Sequence, residues 1–220
     1  MRNVIKDRIQ GGSEVMARST IWALVWAAVF SGVLVWSGIG PMDRATWVLE
    51  VLPAVLGFIA VIWSWYRYPL TPLTYWLILV HAVILMIGGH YTYAEVPLFE
   101  WLGKVFGWTR NNYDKLGHFA QGFVPALIAR ELVTRLSVFS GNGWRGFFIV
   151  CFCLALSAFY ELIEWWVALV SDDAADSFLG TQGYIWDTQS DMAWALTGAL
   201  AALILLGRLQ DRQIAGLGRR

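Results

Sequence analysis

The sequence predicts an all-α polytopic membrane protein, a bundle of six transmembrane helices with one further amphipathic helix lying in the membrane interface. Three observations carry that prediction. Hydrophobic residues make up 58% of the 220 and charged ones only 15%, well below the ~25% charged residues of soluble domains. Apolar runs of about 20 residues, long enough to cross a bilayer as a helix, recur along the chain. None of it alternates apolar and polar residues as the strands of a membrane barrel do.

Breakers bound the runs in order. The first, 20–38, stops at Gly38-Ile39-Gly40-Pro41, and Pro69 and Pro72 part the second, 46–65, from the third, 72–92. The fourth, 114–136, contains Pro125, a candidate kink. Ser140-Gly141-Asn142-Gly143 makes a turn before the fifth, 144–170, and the sixth covers 190–207. The first run reads as a span and not a signal peptide, because Thr20 to Trp36 exceeds the ~7–15 residues of a signal core and no A-x-A-like site follows. Residues 1–19 then form a cytoplasmic N-terminal tail, 20–207 the transmembrane domain and 208–220 a cytoplasmic C-terminal tail.

Two outer segments are not spans. Over about 95–110, Leu98, Trp101, Leu102, Val105 and Phe106 recur at helical intervals, with Glu100 and Lys104 an i,i+4 pair on another face. That pattern predicts an interfacial helix with its aromatics at headgroup depth. Residues 171–187 form the longest loop, rich in Asp and Gly, either a lid over a site or a solvated connection.

Orientation follows from the basic residues. With the N-terminus inside, only Arg44, Lys104, Arg110 and Lys115 of the 16 Lys and Arg lie outside, so both termini are expected in the cytoplasm. The acidic residues run the other way: only Asp7, Glu14, Glu131 and Asp211 of the 16 lie inside. Acidic residues contribute little to orientation, so their outer excess points to chemistry on that side. Net charge is zero and no basic patch interleaved with aromatics occurs, which excludes nucleic acid as a partner. Cys151 and Cys153, two apart in an apolar helix, point to different faces and form neither a zinc knuckle nor a disulfide framework.

Glu161 and Glu164 sit inside the fifth run. A charged side chain at mid-membrane costs at least about 2.5–3.5 kcal/mol, so such residues face the interior of a bundle, find partners and mark functional sites. Candidate partners have matching spacing. Asp114 and His118 are i,i+4 at the start of the fourth run, Glu161 and Glu164 are i,i+3, and Asp187 and Asp191 lie where the last loop enters the sixth. By helix rise all three pairs fall near one depth, toward the outer interface. Several carboxylates so close repel one another unless protons, cations or a metal offset them, and the nearby cations Lys115 and Arg110 are too few.

An oxygen-rich set with one His suits Mg²⁺, Mn²⁺, Fe²⁺ or Zn²⁺, and bundle helices build metal sites from inward-facing carboxylates and His. The expected metal ligands are Asp114, His118, Asp187 and Asp191, with Glu161 or Glu164 as general base. The bland alternative is structural: Asp114 and Asp191 cap helices, while Glu161 or Glu164 pairs with Lys115 or accepts hydrogen bonds from Tyr and Trp. Among lesser candidates, His90 is a further ligand-supporting or headgroup-level residue, His81 reads as a core histidine, and Arg110, Asn111 and Asn112 could take phosphate oxygens.

Taken together, Tyr113-Asp114-Lys115-Leu116-Gly117-His118, Tyr160-Glu161-Leu162-Ile163-Glu164-Trp165 and Trp186-Asp187-Thr188-Gln189-Ser190-Asp191-Met192 resemble the YjdF-type family of bacterial inner-membrane proteins, a family of undefined biochemical function. The resemblance covers the chain from about the second run onward and implies a multi-pass inner-membrane location. More distantly, Asp114, Lys115, His118, Glu161, Asp191, Gly198 and Ala199 are similar to the pattern of VanZ-like membrane proteins, although the Asn expected near residue 195 is Ala195 here.

Three functional readings result. The first is a metal-assisted hydrolase or transferase acting on a lipid or lipid-linked substrate at the outer leaflet. The second is a proton-coupled transporter or permease using Glu161 and Glu164. The third is a structural or lipid-binding protein without turnover. All three imply membrane lipids as partners.

Overall fold

Proline, glycine and short polar side chains set the helix ends. The computed structural model describes residues 2–170 and 182–217. They form α1 (Arg2–Gly38), α2 (Arg44–Arg67), α3 (Pro72–His90), α4 (Pro97–Phe106), α5 (Tyr113–Arg135), α6 (Asn142–Val170) and α7 (Asp187–Leu217), with no strand among the described residues. Asp43 caps α2, its carboxylate accepting from the Thr46 amide at 2.7 Å. Thr71 caps α3, and Pro72 occupies the first helical position, where its missing N–H costs nothing.

Among the described residues, five helices are long and apolar enough to cross a membrane: α1 over Thr20–Gly38, α2, α3, α6 over Gly143–Val170, and α7. α5 is long enough at 23 residues, but Asp114, Lys115, Arg130, Glu131 and Arg135 dilute its hydropathy. Packing explains how it carries them. It is enclosed by α3, α6 and α7, and His118, Arg130 and Glu131 are buried along it. A polar helix of this kind meets protein where its neighbours meet lipid.

Other boundaries differ from the sequence expectation for local reasons. The backbone is helical from Arg2, and α7 continues to Leu217, beyond 207, because no proline interrupts either stretch. α7 opens at Asp187 and not at 190; most of the expected outer loop, residues 171–181, lies outside the described residues. α4 is shorter than the expected 95–110. Pro97 sets its start, and Gly107, with φ at +70°, ends it in the left-handed conformation that favours glycine. Leu98, Trp101, Val105 and Phe106 are exposed along it.

α5 packs most extensively against α7. Two glycines permit this. A Cβ on Gly122 would stand 1.8 Å from the Ala195 carbonyl oxygen, and one on Gly198 would stand 2.1 Å from that of Phe119. With lipid around the bundle there is little hydrophobic drive between helices, so close backbone approach through small residues supplies the packing. Ala126, Leu127, Cys153, Ala199 and Ala202 complete this half of the core. The other half joins α1, α2 and α3 through Trp26, Phe30, Phe58, Leu79 and Met86, with Phe30 stacked on Phe58 at 4.5 Å between centroids.

At the end of the bundle where α3 begins, α3, α5 and α7 are tied by a polar knot. Glu131, fully buried, accepts from the Thr71 amide (2.8 Å), the Thr71 and Thr74 hydroxyls (2.8 and 2.7 Å) and Arg135 (3.1 Å). Gln210 donates to Thr74 and to the Leu127 carbonyl, and Arg130 donates to Gln210 and, bidentate, to Asp211. Glu131 thus has donors on both oxygens, the condition under which a buried charge is tolerated.

Candidate functional site

The site forms at the opposite end of α5. Tyr113 opens this helix, so Asp114 lies in its first turn with His118 one turn further on the same face. Asp114 therefore does not cap α5, nor does Asp191 cap α7, which opens at Asp187. His118 Nε2 is 3.3 Å from Asp114 Oδ1. Across the ring, His118 Nδ1 is 3.1 Å from Gln121 Oε1 and 3.8 Å from Glu161 Oε1. Nδ1 can donate to the Gln121 carbonyl oxygen, and Nε2, when it carries a proton, to the Asp114 carboxylate.

α6 and α7 close the site. Glu161 and Glu164 are each 9% exposed and Asp191 3%. One ligand atom from each of Asp114, His118 and Asp191 lies within 4.8 Å of the other two, and the same holds for His118, Glu161 and Glu164. An octahedral ion with bonds of about 2.1 Å sets its ligand atoms about 3.0 Å apart when adjacent and about 4.2 Å when opposite. Both groups are thus within a small adjustment of that geometry. Glu161 Oε1 and Asp191 Oδ1 are buried without a hydrogen-bond partner in the protein, and buried carboxylate oxygens are satisfied by a proton, a water or a cation.

The structure sets the remaining candidates elsewhere. Asp187 accepts from Arg110, which also lies 3.7 Å from Asp114, and neither three-residue group includes Asp187. The expected metal ligand at 187 is met as an ion pair, because the guanidinium takes its carboxylate. Lys115 sits over the Tyr184 ring, 5.8 Å from its centroid, and has no ion pair with Glu161 or Glu164. Asn111 ties the segment before α5 to its surroundings: its side chain donates to the Val96 carbonyl (3.0 Å), its backbone N–H donates to Gln182 Oε1, and its carbonyl accepts from Gln182 Nε2. His90 Nδ1 lies 2.9 Å from the Ser37 carbonyl oxygen, its ring against Trp36, away from His118.

A cavity of about 150 Å³ runs inward from this cluster, lined by Glu50, His81, Tyr93, Asp114, His118, Gln121, Pro125, Tyr160 and Glu164 among others. From Asp114 to Pro125 it follows about 16 Å of helix. Glu50 is the lining residue that sequence reasoning missed. It is 5% exposed and accepts from the Tyr160 hydroxyl at 2.9 Å. The signal was present, since Glu50 is a carboxylate inside an apolar run, the same oddity that singled out Glu161. Tyr160 and Gln121 carried no such signal. His81, expected as an ordinary core histidine, instead reaches the cavity wall with Nε2 buried and unpartnered.

Tyr93 forms part of the cavity wall from the turn after α3. A Cβ on Gly88 would stand 2.3 Å from its ring and one on Gly117 2.9 Å, so two glycines on different helices make the slot that holds it. Burial, then the nearby Glu50, pushes the Tyr93 phenol well above its usual range, and it stays a neutral hydroxyl.

Residues 22–212 match the family model described as "Predicted membrane protein (DUF2238)". The chain belongs to that family. It is 51% identical over 190 residues to the inner membrane protein YjdF of Escherichia coli (strain K12), a match covering 84% of this chain and 89% of that protein. No solved structure matches the chain. The YjdF-type resemblance of its motifs is thereby established, and the chain is a multi-pass protein of the bacterial inner membrane. Of the quoted motif residues, Asp114, His118, Glu161, Glu164 and Asp191 lie in this one cluster, so the three quoted strings of this chain meet in space.

Proposed function

We propose that this family member is a membrane-embedded, metal-assisted hydrolase or transferase whose substrate is a lipid or a lipid-linked molecule at the outer leaflet. One observation carries the reading: a ligand atom of His118 lies within 4.8 Å of ligand atoms of Asp114 and Asp191, one oxygen of Asp191 is buried without a protein partner, and Gln121 stands beside the His118 Nδ1. Metal-ligating histidines almost always have their second ring nitrogen held in this way. Asp114, His118 and Asp191 are then the ligands of one divalent ion, Mg²⁺, Mn²⁺, Fe²⁺ or Zn²⁺. Such an ion lowers the pKa of a bound water, and Glu161 or Glu164 stands where a general base is needed.

The proposed topology has six crossings with both termini in the cytoplasm. α5 supplies the sixth, supported by its length and its enclosure within the bundle. The cluster then opens toward the outer leaflet. The apolar face of α4, with Leu98, Trp101, Val105 and Phe106 exposed, lies shortly before Arg110 in the chain and offers a shelf for acyl chains.

A transport reading draws on a different observation, the inward reach of the cavity to Glu50, His81 and Pro125. Elemental analysis of purified protein loaded with Mn²⁺ or Zn²⁺ and then desalted separates the two. A metal-dependent enzyme retains about one equivalent, and Asp191→Asn lowers it below about a fifth. Wild type that retains none above background overturns the metal reading and leaves transport.

A further inference from the structure

A second cavity lies at the other end of the bundle, independent of the acidic cluster. It is an open groove of about 310 Å³ between α5, α6 and α7, lined by Arg130, Arg145, Ile149, Ile204, Gly207, Arg208 and Asp211 among others. Three guanidinium groups face one carboxylate. Asp211 is engaged bidentately by Arg130, and Arg145 bonds only the neutral Thr134 hydroxyl, at 3.2 Å. Arg208 is exposed and has no ion pair among the described residues. The groove therefore carries excess positive charge.

Its surroundings place it at headgroup depth. Trp144 and Phe147, at the α6 end beside the groove, and Ile204 on α7 are 68%, 56% and 77% exposed, and in a bilayer such side chains meet lipid, with Trp favoured at the interface. Gly207 leaves the floor open: a Cβ there would meet Arg130 at 3.6 Å, so the guanidinium is covered by no side chain from that position. One helical turn from Arg208, Ile204 and the neighbouring Leu203 give the groove an aliphatic wall.

We propose that this groove binds an anionic phospholipid of the adjacent leaflet, with its phosphate between Arg145 and Arg208, Arg130 behind it, and its acyl chains along Leu203 and Ile204. Basic pockets between transmembrane helices are a recurrent way of holding acidic headgroups. Fork-shaped guanidinium groups suit phosphate oxygens better than ammonium groups do.

Native mass spectrometry of the full chain in detergent tests this, with phosphatidylglycerol and phosphatidylcholine of identical acyl chains as probes. Wild type should retain phosphatidylglycerol in preference to phosphatidylcholine. Replacing both Arg145 and Arg208 with Gln should weaken phosphatidylglycerol retention about 25-fold, at about fivefold per arginine, and leave phosphatidylcholine unchanged. Gly207→Leu fills the floor without removing a charge and should also release phosphatidylglycerol, which covers the case where the double variant misfolds. Equal retention of the two lipids by wild type, or unchanged phosphatidylglycerol retention in Gly207→Leu with its fold intact, overturns the proposal.

Discussion

Gln121 contributes no charge and lies within an ordinary stretch of helix, yet its carbonyl oxygen stands 3.1 Å from His118 Nδ1, where it can hold the ring that faces the acidic cluster. Replacing it with Leu removes the acceptor and frees the ring, and loss of such a supporting partner typically weakens metal binding about 10–100-fold. Gln121→Leu is therefore expected to shift metal retention in a competition titration by that factor, whereas Gln121→Glu, which keeps an acceptor, should retain most of it. Glu131 makes the opposite case. Glu131→Leu leaves the buried Thr71 amide without its acceptor, while Arg135 keeps the Pro69 carbonyl and the Thr71 and Thr74 hydroxyls keep each other, so it should cost about 1–3 kcal/mol, seen as a lowered thermal midpoint in detergent. Metal content should be unaffected, because the knot and the cluster lie at opposite ends of α5.

At the scale of elements, α5 and α7 are held by shape. Gly122→Ala drives a methyl into the Ala195 carbonyl, an overpacking of the kind that costs about 1–3 kcal/mol or more. Gly57→Ala on α2 meets nothing within 4 Å and should be neutral to slightly stabilising by about 0.5–1 kcal/mol; paired melting curves of the two variants check the contrast. The start of α2 depends on Asp43, whose carboxylate the Thr46 amide holds below its ordinary value. A lowered carboxyl contributes stability above its unfolded pKa and loses it as pH falls through the folded one. Asp43→Ala should therefore differ from wild type by about 0.5–2 kcal/mol near pH 7, and the gap should close below pH ~3.8. Helix positions were largely legible in the sequence because Pro41, Pro69, Pro72 and the 140–143 turn punctuate long apolar runs. The helical stretches 2–19 and 208–217 were not, since polar residues without a breaker read as tails.

For the whole molecule, the sequence placed acidic residues on three helices at a common depth, and the fold sets Asp114, Glu164 and the added Glu50 on one cavity with His118, and Glu161 and Asp191 close to that same histidine. What could not be read was pairing. Arg110 and Asp187 are 77 positions apart, and nothing in their spacing says that the guanidinium, and not an ion, meets that carboxylate. Glu50 reaches the site because α2 packs against α3, and helix neighbours are set by packing that periodicity does not encode. The proposed topology is open to direct measurement: single cysteines at Met42 and Leu136, in a background with Cys151 and Cys153 replaced, should react with an impermeant maleimide from the periplasmic side at 42 and not at 136. The turn after α3 bears on all of this. Thr92 and Tyr93 have φ of +52° and +53°, a conformation that L-residues adopt at a cost, and the Tyr93 ring occupies space that two glycines leave clear. The capacity of the chamber is thus governed by a short connection between helices and by one aromatic side chain. A substrate too large for it would be accommodated first by a change at position 93, before any transmembrane helix had to move.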